Sequence, residues 1–261
     1  MPTKQDHLAT LEFAPPRAVL TLHRPDARNA LSRDLLDALH ARLDELHARE
    51  DCHVLTLTGE GRAFCAGMDL RAVLGSEGDR PDIESIHAML SSLASLTLKI
   101  RDLHMVVVAK VNGAAIGGGC GLACVADLCI THADSKMGYP EVDLGVCPAV
   151  VAPWLVAKVG PGRARAMLLR GGVMSGREAH ERGLVDVLAD DRAALDTTTD
   201  ALVTRLAAGG PNALAMTKRL LNDLDGSGIG ISPDLLARAA RLSADLFASP
   251  DAQKRLRAAM G

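Results

Sequence analysis

The segment Val111–Leu128, VNGAAIGGGCGLACVADL, decides which fold this chain can adopt. It continues from a short apolar run, Met105–Val111, that predicts a buried strand, and its glycines Gly117–Gly119 precede helix-forming residues. A helix that begins on glycines presents free backbone N–H groups at the positive end of its dipole, which suits a developing oxyanion. Glycines that only let the helix pack closely on a sheet are the other interpretation, and the run by itself favours that one.

Strand and helix patterns alternate on both sides of this segment, which is typical of an α/β fold. Predicted strands lie at Ala18–Leu22, Val54–Thr58, Leu128–Thr131 and Leu184–Leu188, and predicted helices begin at Ser32 and Ile83. After residue 190 the pattern is almost entirely helical, over Asp191–Ala208, Asn212–Leu224 and Pro233–Phe247. The sequence therefore predicts an α/β core over residues 1–190 and a C-terminal helical region over residues 191–261. The polar segment Gly75–Asp82 predicts a loop.

Composition and charge exclude several classes of protein. The 261 residues are 48% apolar and 23% charged with a net charge of −3, and only three Phe, one Tyr and one Trp are aromatic. A protein that stacks single-stranded nucleic acid on aromatic side chains is therefore not expected. The long apolar runs are interrupted at Lys110, Asn112, Pro148 and Pro153. None reaches the roughly 18 residues that a membrane helix needs, so no membrane partner is expected.

Cysteine usage and the first residues bear on the cellular compartment. None of the six cysteines forms a CxxC pair, and the first ten residues, MPTKQDHLAT, lack the apolar region of a secretion signal. Both features are typical of a reducing cytoplasm, where we place the protein. Metal binding by Cys120, Cys124 and Cys129 is the alternative, but their spacing does not fit a zinc site, so we predict no metal.

Common catalytic motifs are missing. The sequence contains no GxxxxGK[ST], GxSxG or HExxH, and the glycine run departs from GxGxxG because the last glycine position falls on Leu122 or Cys124. What remains is Glu141, an acid in a mostly apolar stretch after Tyr139 and Pro140. Apolar surroundings raise the pKa of a carboxyl group and allow proton exchange near neutral pH. A capping or salt-bridged glutamate fits the local sequence equally well.

Five segments, in this order, resemble the crotonase superfamily, the enoyl-CoA hydratase and isomerase group. They are RPDARNAL (Arg24–Leu31), GRAFCAGMDL (Gly61–Leu70), the glycine segment quoted above, KMGYPEVDLGVCPA (Lys136–Ala149) and SGREAHERGLVDVL (Ser175–Leu188). The resemblance implies a crotonase fold, shared with Clp-type peptidases, in which repeated β-β-α turns form a superhelix. It further implies that the C-terminal helices build a homotrimer or a dimer of trimers. The implied ligand is an acyl-CoA thioester, with coenzyme A as part of the substrate and no separate cofactor.

The same resemblance assigns site residues. The backbone N–H groups of Met68 and Gly118 match the pair that holds the thioester carbonyl, and Glu141 matches a catalytic acid. Positions that match coenzyme A contacts are Arg28, Ala66, Asp69, Leu70 and Arg71. Two N–H donors that stabilise an enolate support proton transfer or conjugate addition without a metal.

The sequence departs from the two-acid pattern of the family's hydratases, because Gly121 stands where the first of two glutamates belongs. A subgroup resembling methylglutaconyl-CoA hydratases has the same glycine, so we favour an enoyl-CoA hydratase in which Glu141 acts alone. An enoyl-CoA isomerase with Glu141 as its only base and a non-catalytic acyl-CoA-binding homologue are the alternatives. Asp251–Gly261 also departs from the family, which leaves Lys254 and Arg255 as phosphate contacts or as part of a solvated helix face.

Overall fold

The computed structural model describes residues 7–74, 81–229 and 231–260 of the chain. Its strands are β1 (Ala9–Ala14), β2 (Arg17–Leu22), β3 (Val54–Gly59), β4 (Ala63–Cys65), β5 (Val106–Val111), β6 (Ala114–Ile116), β7 (Leu128–His132), β8 (Lys136–Gly138), β9 (Val173–Ser175) and β10 (Val187–Ala189). Its α-helices are α1 (Arg33–His47), α2 (Leu70–Val73), α3 (Ile83–Asp102), α4 (Gly118–Val125), α5 (Ala152–Val159), α6 (Pro161–Arg170), α7 (Gly176–Glu181), α8 (Leu195–Ala207), α9 (Pro211–Ile229), α10 (Pro233–Phe247) and α11 (Pro250–Met260). Short 3-10 helices cover Pro25–Ala27 and Pro140–Leu144.

Two sheets form the framework of the described part of the chain. The larger has six strands in the order β1-β2-β3-β5-β7-β10, and the smaller has four in the order β4-β6-β8-β9. In the larger sheet β1 and β2 are antiparallel, and the strands from β2 to β10 run parallel. Parallel strands are covered on both faces and therefore appear as continuous apolar runs, which is why β5 (VVVAKV) is clear in the sequence.

The chain repeats one unit: a strand in the larger sheet, a short strand in the smaller sheet, and a helix. The unit recurs as β3-β4-α2, β5-β6-α4 and β7-β8-α5. This is the repeated β-β-α arrangement that the resemblance implies, so the predicted fold class is confirmed. The glycine segment forms one junction of the repeat, because β6 ends at Ile116 and α4 begins at Gly118.

Helix α1 shows how local chemistry fixes an element. The Ser32 hydroxyl accepts the Leu35 N–H at the N-cap (3.3 Å), which satisfies one free donor of the first turn. The predicted apolar stripe is buried, with at most 2% of each side chain exposed, at Leu35, Leu36, Leu39, Leu43 and Leu46. The stripe holds the helix on the sheet, as amphipathic spacing predicts.

Three predicted elements have wrong boundaries. Strand β10 begins later than the predicted Leu184, because the N–H groups of Leu184 and Val185 bond to the Ala179 carbonyl at the end of α7 (2.9 and 3.4 Å). Helix α8 begins later than the predicted Asp191, because the Asp191 carboxylate first accepts the Ala194 N–H in a turn (2.8 Å). Helix α9 extends beyond both of its predicted ends.

The C-terminal helices pack onto the core. Helix α10 lies along α3 and buries Leu236, Ala240 and Ala244 there. The division of the chain at residue 190 stays a prediction. Most of the predicted loop, residues 75–80, lies outside the described residues.

The described part of the chain contains neither a membrane-spanning helix nor a cluster of metal ligands. Across residues 7–74, 81–229 and 231–260, no helix is both long and apolar enough to cross a lipid bilayer. Within those ranges no group of three His, Cys, Asp or Glu side chains is arranged to hold a metal ion.

Candidate active site

The loop that carries Met68 is held by a parallel bridge to Leu31. The Leu31 N–H donates to the Gly67 carbonyl (2.7 Å), and the Leu31 carbonyl accepts the Asp69 N–H (3.0 Å). In a parallel bridge the residue that lies between the two hydrogen-bonded residues, here Met68 between Gly67 and Asp69, directs its own N–H away from the paired strand. The Met68 N–H therefore points away from Leu31 and is left available to a ligand.

A buried asparagine fixes the turn that bears this bridge. Asn29 is fully buried, and its Oδ1 accepts the Arg24 N–H (2.8 Å). Its Nδ2 donates to the carbonyls of Glu60 (3.0 Å) and Ala63 (2.9 Å), which joins the turn to β4. Asn29 has a φ of +56°, a left-handed conformation that asparagine tolerates better than most residues.

An ion pair joins the same turn to the Met68 loop. Arg24 Nη1 donates to Asp69 Oδ2 (2.7 Å) and to the Ala30 carbonyl (2.9 Å). The other carboxylate oxygen, Asp69 Oδ1, accepts the Arg71 N–H (3.2 Å) and caps α2. The Asp69 carboxylate is thus occupied by contacts within the protein that position the loop.

The glycine segment supplies the second donor. Gly118 is the first residue of α4, so its N–H has no acceptor within the helix. Gly117 has a φ of +54° and donates its N–H to the Gly138 carbonyl (2.8 Å). A Cβ on Gly118 would lie 3.9 Å from Gly67 Cα, so the Met68 and Gly118 donors are close neighbours. No backbone hydrogen bond among the described residues uses either N–H.

Glu141 lies against the same glycines. It follows Pro140 in a 3-10 helix, and a Cβ built on Gly117 would come within 2.7 Å of Glu141 Oε1. The other oxygen, Oε2, is buried and has no hydrogen-bond partner. Burial raises the pKa of Glu141 to about 7, against a smaller opposing effect of its own backbone N–H. The predicted poised acid is therefore a buried carboxyl group that can give or take a proton near neutral pH.

These groups line one narrow cavity. Its volume is about 30 Å³, room for a single water. Its walls are Met68, Leu90, Leu93, Gly118, Glu141, Cys147, Pro148, Val150, Val151, Ser243 and Phe247. Among the described residues of this wall, Glu141 is the only carboxylic acid. The cavity thus combines two N–H donors and one acid in apolar surroundings, which suits the formation of an enolate.

The position of the missing first acid is filled by an apolar side chain. A Cβ built on Gly121 would fall 2.7 Å from Val151 Cβ, closer than packed atoms tolerate. Both residues are buried, and Val151 also lines the cavity. A glutamate at position 121 would therefore require Val151 to move.

A family model described as enoyl-CoA hydratase/isomerase matches residues 17–260. The chain belongs to the enoyl-CoA hydratase/isomerase family. A Thermus thermophilus relative named as an enoyl-CoA hydratase is 37% identical over 217 residues, which cover 81% of this chain and 83% of the relative. A Bacillus subtilis relative of the same description is 33% identical over 205 residues, 78% of each protein. The solved structure of a Mycobacterium avium enoyl-CoA hydratase is 29% identical, with a TM-score of 0.84 and coverage of 97% and 96%. The predicted membership of the crotonase superfamily is confirmed.

The residues that the family resemblance assigns to coenzyme A lie outside the lining of the narrow cavity and differ in exposure. Arg28 and Arg71 are exposed and have no ion-pair partner among the described residues. Arg28 lies beside an open groove of about 750 Å³. Ala66 donates its N–H to the Arg28 carbonyl (3.0 Å), and Leu70 packs partly buried against the core. The arrangement leaves two cations free for phosphate groups, and their role in binding stays a prediction.

The last helix, α11, pairs the basic side chain of Arg255 with an acid of the same helix. Arg255 Nε donates to Asp251 Oδ2 (2.8 Å) on the exposed face of α11, and Lys254 is exposed as well. Helix α11 packs against the 3-10 helix that carries Glu141. In this family member the helix therefore supports the segment that carries Glu141.

Several residues of the site were not identified from the sequence. Arg24 and Asn29 belong to a quoted motif, but only the fold shows that they position the Met68 loop. Ser243 and Phe247 are remote in sequence and reach the cavity because α10 lies on α3. Cys147 lies six residues after Glu141 in the segment Lys136–Ala149, and this short separation is the sequence signal that points to it.

Proposed function

We propose that the protein adds water across the carbon–carbon double bond of a 2-enoyl-CoA thioester. The observation that carries this proposal is the placement of Glu141, with one free buried oxygen and a pKa near 7, beside the two available N–H donors. The relatives named as enoyl-CoA hydratases, 37% and 33% identical, support it.

The proposed reaction uses one carboxyl group in both of its steps. The Met68 and Gly118 N–H groups bind the thioester oxygen and stabilise the negative charge that develops on it. Ionised Glu141 takes a proton from a water, whose oxygen bonds to the β-carbon while the double bond becomes an enolate. The same carboxyl group then returns a proton to the α-carbon. Val151 occupies the space beside Gly121, so the proposed mechanism places no second carboxylate at that position.

Binding of the substrate is assigned to groups that the protein leaves unpaired. Coenzyme A carries several phosphate charges, and exposed Arg28 and Arg71 match them in sign. The backbone around Ala66 and Leu70 is proposed to face the remainder of coenzyme A. Coenzyme A enters as part of the substrate, and the proposed chemistry uses no separate cofactor.

The experiment is hydration of crotonyl-CoA, followed by loss of its conjugated absorbance. We expect wild-type protein to remove the signal and Glu141→Gln to lose at least about 100-fold in rate, because glutamine cannot act as a base. Glu12→Gln, which changes an exposed glutamate on β1, is the matched control and should keep full activity. Loss of absorbance that persists unchanged in Glu141→Gln would contradict the role of this acid.

A second candidate is an enoyl-CoA isomerase, favoured by one observation. A cavity wall with a single carboxylic acid is sufficient to move a proton between the α- and γ-carbons, since one base performs both transfers. The test is a 3-enoyl-CoA substrate: an isomerase produces the conjugated absorbance, whereas a hydratase leaves this substrate unchanged. A non-catalytic homologue would change neither substrate while still binding an acyl-CoA.

A further inference from the structure

One cysteine differs from the other five in its surroundings. Five thiols are buried, at Cys52, Cys65, Cys120, Cys124 and Cys129, whereas Cys147 is only partly buried. Cys147 lines the cavity that contains the two N–H donors and Glu141. The accessible thiol of the chain therefore lies in its candidate active site.

The backbone around Cys147 is fixed on both sides. The Val146 N–H donates to the Glu141 carbonyl (2.9 Å), and the Cys147 carbonyl accepts the Ser243 hydroxyl (2.8 Å). Pro148 follows directly and restricts the chain further. The thiol is thus held in the wall beside a carboxylate whose Oε2 is buried and has no partner.

We infer that Cys147 is a second nucleophile of this cavity, a covalent modification site for 2-enoyl thioesters. The inference rests on the proposed function, because the same donors and the same base that activate the double bond for water activate it for a thiol. In the step, Glu141 takes the thiol proton, sulfur bonds to the β-carbon, and the double bond becomes an enolate held by Met68 and Gly118. Glu141 then transfers the proton to the α-carbon. The net result is addition of S–H across the double bond, with no oxidation or reduction.

The surroundings of Cys147 keep its thiol protonated before a substrate binds. Burial raises the pKa of the Cys147 thiol, and the charge of Glu141 raises it further, so the free enzyme holds a protonated, weakly reactive thiol. A carboxylate still removes a proton more readily from a thiol than from water, because the thiol is the stronger acid. Water and Cys147 therefore compete for the β-carbon. A thioether at Cys147 would fill the cavity and block turnover.

The experiment measures hydration and covalent labelling together. Wild-type protein, Cys147→Ala, Cys147→Ser and Glu141→Gln are incubated with crotonyl-CoA or with the less hindered acrylyl-CoA and quenched in acid. Intact mass and peptide mapping then locate any adduct, while absorbance follows hydration. Butyryl-CoA, which has no double bond, is the control ligand. Circular dichroism confirms that each variant is folded.

We expect wild-type protein to gain the mass of one intact acyl-CoA at Cys147 with the two enoyl substrates and no mass with butyryl-CoA. Both Cys147 variants should show no adduct, and Glu141→Gln should label about 100-fold more slowly. Hydration without an adduct, or an adduct on another cysteine, overturns this inference and leaves the proposed function intact. An adduct at Cys147 without hydration supports the inference and contradicts the proposed function. Absence of both contradicts both.

Discussion

At the scale of single residues, the site depends on a carboxyl group kept out of water. Glu141 lies where Gly117 leaves space for its carboxylate, and Oε2 has no hydrogen-bond partner to compensate for its burial. An ionised group in such a place is disfavoured, and its pKa rises accordingly. The carboxyl group of Glu141 is therefore partly ionised at neutral pH, and only its protonated form avoids the desolvation cost of a buried charge.

The pH dependence of activity follows from this pKa. In the proposed mechanism Glu141 is a base in its ionised form, so activity should fall as pH decreases through about 7, the folded-state pKa. An ordinary glutamate would hold activity down to about pH 4.5. The measurement is kcat/KM for crotonyl-CoA against pH. A profile that stays flat between about pH 5 and pH 7 would exclude Glu141 as the base.

The free energy of unfolding should also depend on pH through the raised pKa of Glu141. The pKa of Glu141 is raised in the folded state from its ordinary value of 4.5 to about 7, so the folded protein binds the proton more tightly than the unfolded chain does. This contribution is complete below about pH 4.5 and is lost as pH rises through about 7, a change of about 3 kcal/mol. The free energy of unfolding of Glu141→Gln, measured in urea, should therefore increase relative to that of wild type as pH rises from about 5 to about 8. An equal difference at both pH values would contradict the shifted pKa.

Gly117 tests the space that the acid occupies. Gly117→Ala places a Cβ within 2.7 Å of Glu141 Oε1 at a φ of +54°, so it displaces the carboxylate and adds backbone strain. We expect at least about a tenfold loss in kcat and about 1–2 kcal/mol in stability. Gly162→Ala is the control, since nothing lies within 4 Å of its Cβ, and it should keep activity. Full activity in Gly117→Ala would show that the carboxylate does not need this position.

At the scale of elements, the pairing of the turn 24–31 with the loop 65–69 aims the Met68 donor. Asp69→Asn keeps the cap of α2 and weakens the ion pair with Arg24. We expect kcat to fall about tenfold with KM little changed, and stability to fall by about 1 kcal/mol, since the pair is only partly exposed. A large rise in KM at unchanged kcat would instead assign Asp69 to direct contact with coenzyme A.

Sequence patterns predicted which helices and strands form better than they predicted the element boundaries and the contacts between elements. The leucine stripe of α1 and the apolar strand β5 are local signals, and both were read correctly. Leu184 and Asp191 were assigned to elements that begin later, because turn hydrogen bonds compete with the strand and the helix there. The contact of Val151 with Gly121 joins residues 30 positions apart, and neither position indicates it alone. Such contacts depend on how the repeats stack, which no local pattern encodes.

At the scale of the whole molecule, the two predicted regions of the chain share the site. Ser243 and Phe247 of α10 form part of the cavity wall together with residues of the predicted core. The Ser243 hydroxyl also donates to the Cys147 carbonyl. The C-terminal helical region is therefore part of the wall of the candidate active site as well as a cover for α3.

The outer face of the C-terminal region bears on assembly. Helix α9 exposes Met216, Leu220 and Leu224, each more than half accessible and spaced four residues apart on one face. Apolar side chains grouped in this way mark contact surfaces, and we expect them to lie between subunits of the trimer that the family resemblance implies. Leu220→Glu should shift the protein to monomers in light scattering, because an unpaired charge at an interface core is costly. Arg205→Glu, at an exposed position on the separate helix α8, should leave the assembly unchanged. Wild-type protein that is itself monomeric would contradict the trimer, and an unshifted Leu220→Glu would place the interface elsewhere.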